Sequence, residues 1–210
     1  MKFVLLVEGQ TESKVIPQLL KRWIEPKLAG VKKVGIDPII FHGSGDLRRE
    51  VAKYTRTTLN DPHHERDIIA VVSLLDFYRS TIQYPKGIDS VDERCQWAKR
   101  DIEGKVGEKR FRQFFAVHEL EAWLLSQPGI FPAEIKPHLP KRAPETVNST
   151  EPPKALLNRL YIKHTRKKYK VTDDGLKLFK QLNPEEAYRK CPHLQEMLDE
   201  MLKLALKAEL

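Results

Sequence analysis

The stretch IIAVVSLL at residues 68–75 decides the fold of this chain. It is almost continuously apolar and rich in isoleucine and valine, which predicts a short strand buried on both faces. Strands of this kind are typical of parallel sheets, whose two faces are both covered by helices. We therefore expect an α/β protein with this strand at the centre of its sheet.

Three further segments predict strands that join the same sheet. Residues 3–7, 36–41 and 111–117 are short apolar runs, and each is followed by apolar residues at helical spacing. Strand and helix thus alternate, which predicts a mainly parallel sheet flanked by helices and joined by right-handed crossovers. Ser90 and Glu93 have the spacing of a capping box at the start of a helix.

The composition changes after residue 127, which divides the chain into two predicted regions. Residues 1–127 carry the α/β pattern, and we expect them to form the sheet domain. Seven prolines fall between residues 128 and 153, too many for a regular helix or strand. We interpret residues 128–210 as a proline-rich connector and a helical C-terminal region. We expect both to pack on the sheet domain, because the connector also contains apolar residues.

The overall composition narrows the classes of protein to consider. No apolar run approaches the roughly 20 residues of a transmembrane helix, and the first residues lack the layout of a signal peptide. Cys95 and Cys191 lie far apart and form no CxxC pair, so neither a disulfide framework nor a structural zinc site is expected. We expect a cytoplasmic protein. Its net charge of +8 and its pI near 9.4 favour a polyanionic partner such as nucleic acid.

Acidic residues follow three of the predicted strands at the point where each strand ends. They are Glu8 with Glu12, then Asp76, then Glu119 with Glu121. The carboxyl ends of parallel strands meet at one edge of the sheet, so these side chains can converge. Carboxylates gathered closely repel one another unless cations neutralise them. The alternative is that these acids are solvated turn residues and helix caps.

A converging set of carboxylates is the type of site that binds Mg²⁺ or Mn²⁺, which prefer oxygen ligands. Many nucleases use two such ions for phosphoryl transfer. We therefore predict a metal site formed by Glu8, Glu12, Asp76, Glu119 and Glu121, with Glu8 and Asp76 also catalytic. The chain has no Walker-type phosphate loop, so chemistry on a small nucleotide ranks last.

Three motifs give a more specific likeness. EGQTE at residues 8–12, LDFY at 75–78 and HELEAW at 118–123 follow three predicted strands. Together with YKV at 169–171, Gly175 and CPH at 191–193, they resemble a bacterial family of the DUF4276 type with a TOPRIM-like domain. That family is similar to the nuclease half of OLD-family (overcoming lysogenization defect) proteins and is often encoded beside an AAA-type ATPase. The likeness covers nearly the whole chain and implies a TOPRIM-like fold.

The resemblance implies roles for individual residues. Glu8 matches the strand-end glutamate of the TOPRIM motif, and Glu12 becomes a second metal ligand. Asp76 matches the first aspartate of an Asp-x-Asp pair, but Tyr78 stands at the second position. One expected metal ligand is therefore missing. Either the glutamates after the fourth strand replace it, or the site holds a single ion, or the site is inactive.

The densest basic run of the chain lies at residues 163–170 and includes a tyrosine. We predict that it binds the phosphate backbone of nucleic acid, since cations and aromatic rings together suit such a partner. The predicted contacts are Lys163, Arg166, Lys167, Lys168 and Tyr169. The alternative is a solvated helical face.

The leading hypothesis is a Mg²⁺- or Mn²⁺-dependent nuclease or nickase that acts on DNA or RNA. The resemblance implies work in antiphage defence or DNA repair with an AAA-type ATPase encoded nearby. It also implies an assisting lysine, for which we predict Lys170, with Lys154 as the alternative. The rival hypothesis is a non-catalytic subunit with a degenerate site that binds nucleic acid or regulates the ATPase. We expect no membrane association, and a homodimer is left open.

Overall fold

The computed structural model describes residues 1–28, 33–63, 66–77, 82–147 and 151–208. Within them, one sheet contains the strands β1 (Lys2–Val7), β2 (Gly35–Ile40), β3 (Ile68–Asp76) and β4 (Phe111–Ala116). Neighbouring strands are all parallel, in the order β2-β1-β3-β4. The prediction of a parallel α/β fold is confirmed.

The strand β3 lies inside the sheet, as its apolar sequence predicts. Every residue of β3 before Asp76 is buried, because β1 and β4 pair with its two edges. Val72 and Leu74 belong to one apolar core, and Val71 and Leu75 belong to the other. The strand is apolar throughout because each of its faces is covered by helices.

Eight α-helices follow one another in the described parts of the chain. They are α1 (Gln10–Ile24), α2 (Ser44–Leu59), α3 (Val91–Val106), α4 (Glu121–Leu124), α5 (Pro153–Thr165), α6 (Leu176–Gln181), α7 (Pro184–Lys190) and α8 (Pro192–Lys207). The predicted capping box is present, since the hydroxyl of Ser90 accepts a hydrogen bond from the N–H of Glu93 at 3.1 Å. None of the described helices has the length and apolar character needed to span a membrane.

Two layers of helices cover the two faces of the sheet. The helices α2 and α3 pack on one face. The opposite face carries α1 together with α8, and α6 and α7 pack against α1 in the same core. Trp23 of α1 and Met197 of α8 share this core with Leu5 of β1. The C-terminal helices therefore pack directly on the sheet domain.

The strand order creates a crevice between β1 and β3 at the carboxyl edge of the sheet. The chain passes from β1 to β2 through α1 on one face, and from β2 to β3 through α2 on the other. Ligands of open α/β sheets bind where the direction of winding reverses in this way. Glu8 follows β1 at this point, and Asp76 ends β3 beside it.

A buried carboxylate of the connector forms a hydrogen bond with the start of α8. Glu145 is 7% exposed, and its Oε2 accepts a hydrogen bond from the backbone N–H of His193 at 2.9 Å. Burial raises the pKa of Glu145, while the hydrogen bond from that N–H stabilises the charged form. Cys191 precedes α8, and its side chain does not cap this helix. Glu145 therefore supplies the cap from a distant part of the chain.

Replacing Glu145 by alanine is expected to lower the free energy of unfolding by about 2–3 kcal/mol, because a helix N–H loses its acceptor in a buried place. The matched control is Glu145→Gln, which keeps an oxygen acceptor and is expected to lose clearly less. Urea unfolding followed by circular dichroism measures both losses. Equal losses in the two variants would contradict the capping role.

Candidate active site at the carboxyl edge of the sheet

Glu8 and Asp76 lie side by side where β1 and β3 end. The backbone N–H of Asp76 donates a hydrogen bond to Oε1 of Glu8 at 2.9 Å. Gly9 precedes α1, and a Cβ atom added at Gly9 would lie 2.9 Å from Oε2 of Glu12. The absence of a side chain at Gly9 therefore lets the carboxylate of Glu12 fold back toward the strand end.

The two glutamates after β4 are buried. Glu119 is 4% exposed and Glu121 is 5% exposed. Oε2 of Glu119 accepts a hydrogen bond from the backbone N–H of Lys154, in the first turn of α5, at 2.9 Å. Pro152 precedes α5 and provides no side-chain cap, so Glu119 takes the place of a capping residue. This contact anchors the C-terminal region at the acids.

A small cavity of about 50 Å³ brings together acids from different strand ends. It is lined by Thr11, Glu12, Asp76, Glu119, Leu120, Glu121, Lys154, Val171 and Phe179. Glu8 lies next to it through its hydrogen bond with Asp76. A cavity of this size has room for an ion or a few water molecules and not for a nucleotide. A larger substrate therefore has to approach from outside.

Burial, and then the charges of the neighbouring acids, raise the pKa values of Asp76 and Glu121. The pKa of Asp76 lies well above its usual value, first because of burial and then because of the charges of Glu8 and Glu121. Burial raises the pKa of Glu121 to about 7, and the charge of Glu119 adds to this effect. Lys154 acts in the opposite direction and lowers the pKa of Glu121. Near neutral pH, Glu121 is therefore only partly ionised in the metal-free protein.

Two helix N-termini offset part of the negative charge. The helix α1 begins at Gln10, directly after Glu8 and Gly9, and α5 begins at Pro153, beside Glu119. The free N–H groups in the first turn of a helix carry partial positive charge. Both helices therefore favour the ionised forms of the nearest carboxylates.

The donor atoms suit a hard divalent cation in their chemistry but not in their present arrangement. Carboxylate oxygens are the ligands that Mg²⁺ and Mn²⁺ prefer, and a bound cation would lower the raised pKa values of Asp76 and Glu121. Among the described residues, however, no group of three or more His, Cys, Asp or Glu side chains is placed so that it could hold a metal ion. Metal binding would require rotation of these side chains toward a common point.

Lys154, and not Lys170, lies at the acids. Lys154 lines the cavity. Lys170 is exposed and is not among the residues that line it, and its backbone N–H donates to Oδ2 of Asp174 at 2.8 Å. The predicted catalytic role of Lys170 therefore does not fit its position. Spacing could not separate the two lysines, because only the packing of the C-terminal region decides which of them reaches the cavity.

The predicted nucleic-acid contacts divide into exposed and buried residues. The exposed ones are Lys163, Arg166, Lys167 and Lys168. Tyr169 is 7% exposed and packs edge-on against Tyr161, with ring centres 5.3 Å apart. Its predicted contact with nucleic acid does not fit this position, because the ring belongs to the apolar core. Burial raises the pKa of Tyr169 and the charge of Glu121 raises it further, so its hydroxyl lies near the acids.

The sequence did not indicate four residues that line the cavity, which are Thr11, Leu120, Val171 and Phe179. Thr11 lies inside the EGQTE motif, and its place between two predicted ligands was an available signal. Val171 lies in the YKV motif at residues 169–171, whereas Phe179 lies in the C-terminal region outside every motif that the sequence shows. Tyr78, at the position where the resemblance expects an aspartate, lies outside the described residues.

One comparison with known proteins gives a match. The model of a family described as a domain of unknown function (DUF4276) matches residues 7–202. No curated protein matches the chain, and no solved structure matches it. The matched span includes the acids at all three strand ends, the connector and the larger part of α8. The chain therefore belongs to the DUF4276 family.

Proposed function

We propose that the acid cavity is the active site of a divalent-metal-dependent phosphodiesterase, a nuclease or nickase that cuts nucleic acid. The observation that carries this proposal is the convergence of acids from three strand ends beside Lys154. Burying carboxylates next to one another opposes folding, since each raises the energy of the others. Such clusters of groups with raised pKa values are typical of functional sites.

The proposal gives the residues of the cavity separate tasks. Glu8, Glu12, Asp76, Glu119 and Glu121 would hold the metal. A divalent ion bound there would supply positive charge that lowers the pKa of the attacking water and stabilises the leaving oxygen. Glu8, held in place by the N–H of Asp76, accepts the proton of the attacking water. The ammonium group of Lys154 stabilises the negative charge that develops on the phosphate.

The motifs EGQTE and LDFY support the same function through their resemblance to TOPRIM and OLD-family nucleases. The resemblance also supports work in antiphage defence or DNA repair beside an AAA-type ATPase. Membership of the DUF4276 family adds no activity, because that family is a domain of unknown function. The proposed activity therefore depends on the acids and on these motifs.

Plasmid nicking tests the proposal. The purified protein is incubated with supercoiled DNA in Mn²⁺, in Mg²⁺ or in a metal chelator, and a structured RNA is treated in parallel. Nicked or linear product is expected with at least one of the two ions and not with the chelator. Intact DNA and intact RNA under both metal conditions would contradict a phosphodiesterase.

A non-catalytic subunit is the second candidate function. It is favoured by one observation, the lack of a group of acids among the described residues that is ready to hold a metal. In that case the protein binds nucleic acid or regulates an ATPase, and its binding is sensitive to salt but not to a chelator. The same assays separate the two functions, because this candidate cuts nothing with either ion.

Replacing Lys154 by methionine is expected to slow cleavage about a hundredfold, because the cavity loses the cation that stabilises charge on the phosphate. The variant keeps the backbone N–H that donates to Oε2 of Glu119, so Glu119 still caps α5. The matched control is Lys170→Met, which removes an exposed lysine and is expected to change the rate less than about threefold. Initial rates of plasmid nicking measure both effects. Equal effects of the two substitutions would exclude a specific role for Lys154.

A further inference from the structure

A second charged surface lies at the opposite end of α5 from the acid cavity. Lys154 lines the cavity near the start of α5, and the exposed basic residues lie in the last turn of α5 and directly after its end at Thr165. They are Lys163, Arg166, Lys167 and Lys168, and none of them forms an ion pair within the described parts of the chain. Four like charges thus stand together without neutralisation.

The connector brings more cations to the same place. His138 of the connector stacks on His164 of α5, with ring centres 3.7 Å apart and planes 13° from parallel. Lys136 lies two residues before His138, and Lys141 and Arg142 lie three and four residues after it. These three cations are exposed, and none of them has an ion-pair partner among the described residues. The histidine stack therefore joins two basic segments that are distant in sequence.

Two other cations of the C-terminal region are paired with acids, unlike the cations of this surface. Arg159 of α5 contacts Glu151 at 2.7 Å, and Lys177 contacts Asp173 at 2.8 Å. Acidic side chains are thus available in this part of the molecule, yet they do not reach the cations beside the histidine stack. Uncompensated positive charge of this kind favours a polyanion and speeds its approach.

The helix α5 sets the distance between the two sites. Lys154 and Thr165 are eleven residues apart in α5, which at about 1.5 Å per residue separates them by about 16 Å along the helix axis. A DNA duplex rises about 3.4 Å per base pair, so this distance corresponds to about five base pairs. One duplex can therefore contact both sites at once.

We propose that residues 136–142 and 163–168 form one phosphate-binding surface, which holds a nucleic-acid strand about five base pairs from the acid cavity. The binding surface stands on its own observations, whereas the distance to a cleavage point rests on the proposed function. The surface makes a polynucleotide the substrate class of the cavity, since a mononucleotide cannot reach both ends of α5. Neither α5 nor the connector alone provides this surface.

The test compares two triple variants that remove the same amount of charge. The first is Lys136→Ala, Lys141→Ala, Arg142→Ala in the connector. The control is Lys53→Ala, Lys109→Ala, Lys207→Ala, which removes exposed lysines from other parts of the surface. Fluorescence anisotropy with a labelled duplex of about 20 base pairs, in chelator and over a series of salt concentrations, measures binding without cleavage.

The connector variant is expected to bind about tenfold more weakly, and the slope of log K against log salt is expected to fall by about two to three. The control variant is expected to change affinity less than about twofold, because its lysines lie outside the proposed contact. Equal effects of the two variants overturn the composite surface. Binding of the wild type to anionic phosphatidylserine vesicles but not to the duplex overturns it as well.

Cleavage assays test the distance and keep the two proposals apart. If the wild type cuts DNA, the connector variant is expected to cut more slowly than the wild type on duplexes that extend more than about five base pairs from the nick. On shorter duplexes the two proteins are expected to cut at similar rates. An effect that does not depend on this length contradicts the distance. If the wild type cuts nothing while the connector variant still binds weakly, the proposed activity fails and the binding surface stands.

Discussion

The double substitution Glu8→Gln, Asp76→Asn is expected to lower metal-dependent cleavage about a thousandfold, which corresponds to about 4 kcal/mol of lost stabilisation of the transition state. Both changes replace a carboxylate by an amide of nearly the same shape. The new amide at position 8 keeps an oxygen that accepts the N–H of residue 76, the contact that now joins the two strand ends at 2.9 Å. The pair therefore removes negative charge from the site with little change of structure.

A control variant that loses the same number of acidic residues separates the expected loss of cleavage from a general effect of removing negative charge. Asp67→Ala, Glu134→Ala removes two exposed acids that form no ion pair with a described residue. It is expected to cut plasmid DNA at nearly the wild-type rate. Rates are measured at several Mn²⁺ concentrations, so that weaker metal binding is distinguished from a slower reaction. Cutting that survives the double substitution at every concentration would rule out the proposed site.

Glu121→Gln is expected to become more stable relative to the wild type as the pH rises, by about 2–3 kcal/mol between pH 5 and pH 8 in metal-free buffer. The pKa of Glu121 is raised from 4.5 to about 7 in the folded protein, first by burial and then by Glu119. Between these two values the folded state binds more protons than the unfolded state. The wild type therefore loses stability as the pH rises through this range, and the uncharged glutamine does not.

The variant has to be compared with the wild type because the shifted pKa of His118 changes stability with pH in the opposite direction. Burial and the charge of His193 lower the pKa of His118 to about 4, so its contribution to stability grows as the pH rises toward its unfolded value. This contribution is present in both proteins and cancels in their difference. Urea unfolding at several pH values measures the difference. A difference that stays constant with pH would contradict the raised pKa of Glu121.

Addition of Mn²⁺ at pH 8 extends the same experiment. A metal that binds the ionised cluster is expected to stabilise the wild type more than Glu121→Gln, because it binds only the folded state and uses the carboxylate that the variant lacks. The stability difference measured in metal-free buffer should then shrink. An unchanged difference at saturating Mn²⁺ would show that Glu121 is not a ligand.

The fold is largely predictable here because its signals are local. The run at residues 68–75 is apolar on both faces, and this alone indicates the centre of a parallel sheet. The capping box at Ser90 and Glu93 depends on two residues three positions apart. The convergence of Glu8 and Asp76 follows from the parallel topology, because both acids stand at carboxyl ends of neighbouring strands.

The rest of the site depends on long-range packing, which no local pattern records. Lys154 reaches the acids because Glu119 holds the first turn of α5, and this contact joins residues 35 positions apart. Tyr169 stands in a basic run, yet its ring packs against Tyr161 in the core. Composition alone could not distinguish a tyrosine that faces solvent from one that faces the sheet.

The hydrogen bond between Glu119 and the N–H of Lys154 also has a mechanical consequence. It fixes the first turn of α5 against the acids, so a single helix connects one wall of the acid cavity with the exposed basic residues at its other end. A change in the position of α5 would therefore move Lys154 and these basic residues together.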